Sequence, residues 1–417
     1  MLHPRLPGIS AVLAMSARVL AVEVADVDRS VLGRARGVSF YQGGFGSALS
    51  VHPTRAGHFF LLTDRGPNVG TGREDEKVFL RPGYAPRIGL FAREGGRLRL
   101  VRSVVLRDER GRPLVGLPNP PGRGGTGEAA FDLQGRTLRA DARGVDPEGL
   151  AALPDGTFWV AEEYGPSLLH VDARGRTIER VSPHLPGRHG LPLPRVLAAR
   201  RPNYGFEGLA ATGRGTLVAL LQGPLDNPGP AVRTSARLTR LVVFDPATGR
   251  TQQFAYLHDG PGYSNTALAA LAEDEFLVVE RDGAFAGHPT KPARHKRVYR
   301  VRLAGATDLS DPEDGPRGRL HEGKTPEELT DAERARAGLR PVERTLLVDL
   351  LALPGGYPHD KPEGLAVLGE RTLALVNDDD FGITDEGGRL VPKTLPAAGG
   401  ARDRNRVHFI ELLAPLR

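Results

Sequence analysis

The sequence predicts an all-β protein, a β-propeller of four-stranded blades with loop and helix insertions. Three observations carry the prediction. A unit holding a small-apolar strand of the type G-L-A-x-L, a turn and a β-branched or aromatic strand recurs along the chain. Further short strands separated by turn signals follow most copies, and strands of four to eight residues repeated in fours are the mark of a radial array. The copies also begin and end in carboxylates at matching places.

The first and most distant copy, GGFGSALSVHPTRAGHFFLLTDRG, runs from Gly43 to Gly66, and RIGLFAREGGRLRLVRSVVL supplies its outer strands. The second, DPEGLAALPDGTFWVAEEYG, runs from Asp146 to Gly165 and continues into SLLHVDARGR and TIERVSP. The third, NYGFEGLAATGRGTLVALLQG, spans Asn203 to Gly223 and is followed by RLTRLVVFDPATGR and TQQFAYLH. The fourth, YSNTALAALAEDEFLVVERDG, spans Tyr263 to Gly283, with KRVYRVRL and RTLLVDL after it. The fifth, KPEGLAVLGERTLALVNDDD, runs from Lys361 to Asp380. Five copies are clear and six blades are favoured, the sixth built from RVLAVEVADV near the N-terminus and NRVHFIELL near the C-terminus. The alternative is that these two stretches together close the ring.

Entry residues Glu148 and Glu207 lie 59 positions apart and Glu207 and Asn265 lie 58 apart, a blade with generous loops. The longer gaps before Glu148 and before Glu363 hold insertions at about 112–135 and 305–342, so residues 1–417 read as a single domain. In the second insertion Thr325, Pro326 and Glu328 make a capping box with proline in the first turn, the start of a helix.

The 417 residues suffice for a large core, and 40% hydrophobic with 25% charged residues is ordinary for a soluble globular chain. The net charge of +6 comes from arginine, since the only lysines are Lys77, Lys291, Lys296, Lys324, Lys361 and Lys393. No basic helix or long Lys/Arg block accompanies it, so no nucleic-acid partner is expected. Without cysteine, disulfides, zinc-thiolate sites and thiol catalysis are excluded. No apolar run reaches the roughly 18 residues of a membrane span. The opening MLHPRLPGISAVLAMSARVL has a basic start, a short apolar stretch and a weak cleavage signal at Ala14-Met15-Ser16. A monomer is expected.

In a propeller the first strand of each blade lines the central channel and the second runs antiparallel beside it. The start of the first and the end of the second therefore meet on one face. The entry set is Glu148, Glu207, Asn265 and Glu363, with Ser47 in the distant copy. The exit set is Asp64, Glu162, Glu163, Gln222, Glu280, Asp282, Asn377, Asp378, Asp379 and Asp380. Carboxylates gathered at one channel mouth repel, and must protonate or bind cations. Hard oxygen ligands of this kind favour calcium. The expected metal ligands are Asp64, Glu148, Glu162, Glu207, Glu280, Asp282, Glu363, Asp378 and Asp379. Arg65, Arg281, His359 and Lys361 stand beside them as candidates for holding a phosphate. The simpler reading of any one Glu-Gly entry is a turn in which glycine supplies the unusual φ. No G-x-S-x-G elbow, P-loop or dinucleotide fingerprint is present.

The repeated E-G-L-A entries, FWVAEEYGPSLLHVDARGR, FEGLAATGRGTLVALLQGPL, YSNTALAALAEDEFLVVERD and KPEGLAVLGERTLALVNDDDFG together resemble the phytase-like family described as "esterase-like activity of phytase". The resemblance covers about Gly43 to Leu413. It implies a propeller whose acidic residues carry phosphoesterase chemistry on a small-molecule phosphoester, and a chain of a kind often exported, with a cytoplasmic place as the alternative. It implies roles for Glu148, Glu163, Glu207, Glu280 and Glu363, with Glu163, Glu207 and Glu280 as the catalytic carboxylates. The expectation is thus a calcium-assisted hydrolase of phosphoric esters. The alternatives are a non-catalytic ligand- or protein-binding propeller, or a calcium-dependent lactonase or other ester hydrolase.

Overall fold

A computed structural model describes residues 19–73, 75–125 and 127–416; the Ala14-Met15-Ser16 cleavage signal lies outside them. Five four-stranded antiparallel blades surround a channel. Their innermost strands are Ala48–Val51, Pro147–Ala152, Phe206–Ala211, Ser264–Ala270 and Pro362–Leu368, and each packs against the next until the last returns to the first. Blades 2, 3 and 4 are sequence-continuous, each strand pairing with its successor.

Blade 5 is assembled from both ends of the chain, and here the expected count of six is corrected to five. Its third strand is Arg406–Leu412, and its outermost is Val19–Val27, paired antiparallel from Val19↔Leu412 to Asp26↔Arg406. The two terminal stretches fasten one blade instead of forming a sixth. Blade 1 (Ala48–Val51, His58–Leu62, Arg87–Glu94 and Arg97–Val105) meets blade 5 at its rim through a short parallel contact at Asp26 and Val27.

Each strand is explained by what it packs against. Second strands such as Phe158–Glu162 and Leu217–Leu221 are buried at every position, because both faces of a blade are covered by neighbouring blades. Five apolar clusters fill the five spaces between blades; Trp159, Leu168, Phe206 and Phe244, for example, join blades 2 and 3. Innermost strands must be thin, since five of them crowd one axis. A Cβ on Gly208 would stand 2.9 Å from Leu268 of the next blade, and one on Gly364 would stand 2.7 Å from the Leu49 amide. The entry glycines therefore serve close approach between strands, not the positive φ that the turn reading expected.

The insertions pack on the propeller. Residues Ala129–Phe131 of the first pair with Glu76–Phe79, which pairs in turn with Asn68–Gly70, and this small sheet walls one side of the channel mouth. In the second, Glu328 accepts from the Thr325 amide at 2.8 Å over a single 3-10 turn. The helix proper is Asp331–Arg336, under its own Thr330/Glu333 box. No helix among the described residues is long and apolar enough to cross a membrane.

Gly364→Ala is expected to lower the unfolding midpoint, at a cost of about 1–3 kcal/mol from overpacking. Gly96→Ala, with nothing within 4 Å of its Cβ, is expected to be neutral in the same denaturant titration.

Candidate functional site

Three innermost strands open on the same irregularity. Pairing with the second strand shifts register between Pro147 and Gly149, between Phe206 and Gly208, and between Pro362 and Gly364. The residue left over is a glutamate each time. A β-bulge leaves its extra residue unpaired and re-aims the side chain, and here it turns Glu148, Glu207 and Glu363 into the channel. One carboxylate oxygen from each lies within 4.8 Å of the others. Blade 4 carries the same bulge between Asn265 and Ala267, so its equivalent residue is Thr266, not the Asn265 expected from the sequence. Counted this way both blade spacings are 59 residues. Thr266 spends its hydroxyl on the Pro362 carbonyl.

A second triad adjoins the first and shares Glu148. Asp64, at the exit of blade 1, and Asp146, just before the bulge of blade 2, each bring an oxygen within 4.8 Å of it and of each other. Glu163 follows the second strand of blade 2 and joins these five carboxylates around a cavity of about 310 Å³. All six are at least nine-tenths buried. Burial, then Asp146, Glu207 and Glu363, push Glu148 well above the usual carboxylate range. Burial and the charge of Glu207 do the same to Glu163. Burial and Glu363 raise Glu207 to about 8, against the opposing hydrogen bond from Gln222 Nε2 at 2.8 Å. Among the described residues Glu163 Oε1 and Glu207 Oε2 have no hydrogen-bond partner. Buried acceptors without donors are costly, and a cation would satisfy them.

Four cationic side chains line the same cavity: Arg65, Lys77, Arg281 and Lys361. Arg65 lies 3.0 Å from Glu128 and 3.4 Å from Asp146. Arg281 pairs with Glu363 at 2.9 Å. Lys361 is held by Asp378 at 3.0 Å and by Asp380 at 2.7 Å. Asp380 is held in turn by the buried Lys393 at 2.6 Å. Asp380 and Phe381 sit at φ of 47° and 58°, a left-handed pair that non-glycine residues adopt at a cost. Asp379 clamps this turn by accepting from the amides of Gly44 and Phe381.

The structure thus brings Asp64, Arg65, Glu148, Glu163, Glu207, Arg281, Lys361 and Glu363 to one cavity, with Asp378 reaching it through Lys361. Five expected site residues lie outside it. Glu162 folds back onto its own turn, accepting from the amides of Tyr164 and Gly165 and from Ser167 Oγ. Glu280 accepts from Tyr256 Oη at 2.8 Å and from Arg344 at 3.0 Å, with His295 Nε2 2.9 Å away. Although burial works against it, these partners hold its carboxyl below the usual range. Arg344 pairs with both Glu280 and Asp259, so a cation already serves the Asp259–Glu280–His295 cluster. Asp282 binds Lys296 and the amides of Arg294 and His295. His359 is buried against Asp403, with burial lowering its pKa to about 3. Asp379 is spent on the clamp.

Sequence reading missed Lys77 and gave no role to Asp146. Asp146 had a signal, since it immediately precedes the Pro-Glu-Gly entry. Lys77 lies outside every repeat, and its only mark is rarity: it is one of six lysines against a background of arginine.

Fold and cavity define a five-bladed propeller with a buried acidic centre at one mouth of its channel. The chain belongs to the phytase-like family described as "esterase-like activity of phytase", whose family model matches residues 41–381. A protein of Arthroderma benhamiae described as an uncharacterized secreted protein is 25% identical over 308 residues, 58% of this chain. That match spans 59% of the relative, less than two thirds of its length. Among solved structures, the PQQ-bound aldose sugar dehydrogenase of Streptomyces coelicolor is 14% identical at a TM-score of 0.33, covering 90% of this chain and 85% of that one. Virginiamycin B lyase of Staphylococcus aureus is 12% identical at a TM-score of 0.33, covering 94% and 100%.

Glu207 binds its proton more tightly in the folded chain than in the unfolded one. The stability it contributes is therefore complete below about 4.5 and is lost as pH rises through about 8. Metal-free protein is expected to melt at a lower temperature at pH 9 than at pH 5, and Glu207→Gln to flatten that slope, as read by circular dichroism in chelator-treated buffer.

Proposed function

We propose that this chain is a metal-assisted hydrolase of phosphoric esters, with calcium as the cation, acting in the acidic cavity at the channel mouth. The observation that supports the reading most is the pair of buried carboxylate triads sharing Glu148, beside two carboxylate oxygens without partners. Such a cluster is stable at neutral pH only if protons or cations compensate it. Its carboxylate donors are all oxygens, and among the described residues no histidine or sulfur ligand lines the cavity, a set that suits calcium.

In this reading Glu148, Glu207 and Glu363, with Asp64 and Asp146, hold the metal. When bound, calcium supplies positive charge to the phosphoryl oxygens and lowers the pKa of water. Glu163 Oε1 faces the cavity unpartnered and orients the attacking water, accepting its proton. Arg65, Arg281 and Lys361 are kept in place by their carboxylate partners and present cationic donors to the phosphoryl oxygens. The fully engaged Glu280 and Asp282 take no part.

The test is a panel of phosphomonoesters, phosphodiesters, lactones and aryl esters, assayed after chelation and again after calcium is restored. Phosphoester turnover is expected to vanish with chelator and return with calcium. Glu163→Gln is expected to lower kcat about 10²–10⁴-fold, the range for loss of a general base. Turnover indifferent to chelation would overturn the metal-assisted reading. Turnover of lactones or aryl esters alone would move the reaction to a carboxylic-ester class. Calcium uptake without any turnover would leave a binding propeller.

A further inference from the structure

We propose that Lys77 is a further residue that holds the anionic group of the substrate, beside Arg65, Arg281 and Lys361; the inference rests on the hydrolase reading above. Of the four cations lining the cavity, three are committed. Arg65 is shared between Glu128 and Asp146, Arg281 is paired with Glu363, and Lys361 is bound by Asp378 and Asp380. Among the described residues the Lys77 ammonium makes no ion pair and no hydrogen bond, yet it faces the same cavity.

Its placement follows from the strand that carries it. In Glu76–Phe79 alternate side chains take opposite faces, so Lys77 and Phe79 share one face and Glu76 takes the other. Phe79 is buried with its ring 5.9 Å from the Arg65 guanidinium, so the shared face looks onto the site, while Glu76 turns away to pair with Arg73. The register sets Lys77 opposite Gly70, another wall residue of the cavity, and the Gly70 amide is itself anchored to Asp385 at 3.2 Å.

Lys77 therefore comes from the small sheet beside the mouth, whereas the glutamates come from the innermost strands. An anion in the cavity meets bound cations on the glutamate side and an uncommitted ammonium on the other. Burial and the neighbouring Arg65 lower the pKa of Lys77 against the opposing pull of Glu128 and Asp380, and a bound oxyanion offsets the cost that is left.

Orthophosphate is the probe, titrated by calorimetry in excess calcium against wild type, Lys77→Met and Lys77→Arg. The calcium-induced rise in melting temperature is measured on the same samples, and turnover of p-nitrophenyl phosphate in parallel. Lys77→Met is expected to weaken phosphate binding and raise KM by about 10–100-fold, the worth of one charge-assisted contact. The calcium-induced rise should be unchanged, and Lys77→Arg should retain most of the affinity. Undiminished phosphate affinity in Lys77→Met, or a wild type that takes calcium but no phosphate, would overturn the assignment while leaving the calcium site standing. A wild type that shows no calcium-induced rise would instead remove the reading beneath it.

Discussion

Repulsion among six buried carboxylates at the channel mouth is the constraint to which the rest of this molecule answers. Like charges a few ångströms apart, away from water, cannot all be ionised without compensation. Arg65, Arg281 and Lys361 supply part of it, each locked against at least one acid. The remainder is left to Asp64, Asp146, Glu148, Glu163 and Glu207, whose proton affinities are all driven up. A centre of this kind does not favour the folded chain by itself. The five apolar wedges between the blades hold it together against its own charge.

One local device produces both the packing and the charge. The entry pair Glu-Gly combines a bulge, which turns the glutamate into the channel, with a residue lacking a side chain, which lets the next blade approach. A larger residue in place of the glycine would part the innermost strands, and an unbulged strand would return the glutamate to the pleat. Blade 4 keeps the bulge and replaces the acid with Thr266, a side chain satisfied by a backbone carbonyl. The ring of acids is accordingly lopsided, lying toward blades 1, 2, 3 and 5. The small sheet carrying Lys77 rises beside blade 1.

Acids that look alike in the sequence do different work. The run Asn377-Asp378-Asp379-Asp380 divides its duties: Asp378 and Asp380 grip Lys361, and Asp379 ties the strained turn to Gly44. Lys393, arriving from a later hairpin, grips Asp380 from behind. The whole assembly fixes one ammonium at the cavity. Glu162 and Glu163 are adjacent, yet one closes its own turn and the other faces the cavity, because the strand ends between them.

By itself the sequence determined the repeat, the propeller, and the convergence of Glu148, Glu207 and Glu363. These follow from strand periodicity and rotational symmetry, which act identically on every copy. Tertiary structure alone decided the count of five, because closure depends on hydrogen bonds between Val19–Val27 and Arg406–Leu412, at opposite ends of the chain. It also decided which residue occupies the bulge in blade 4, since a one-residue register choice is invisible until the neighbouring blade packs against it. The fates of Glu162, Glu280, Asp282, His359 and Asp379 were settled in the same way. Each carries the charge or chemistry that the site calls for, but each found a closer partner in the folded chain. Spacing along the chain can bring acids to one face, but only packing determines which of them are left without a partner.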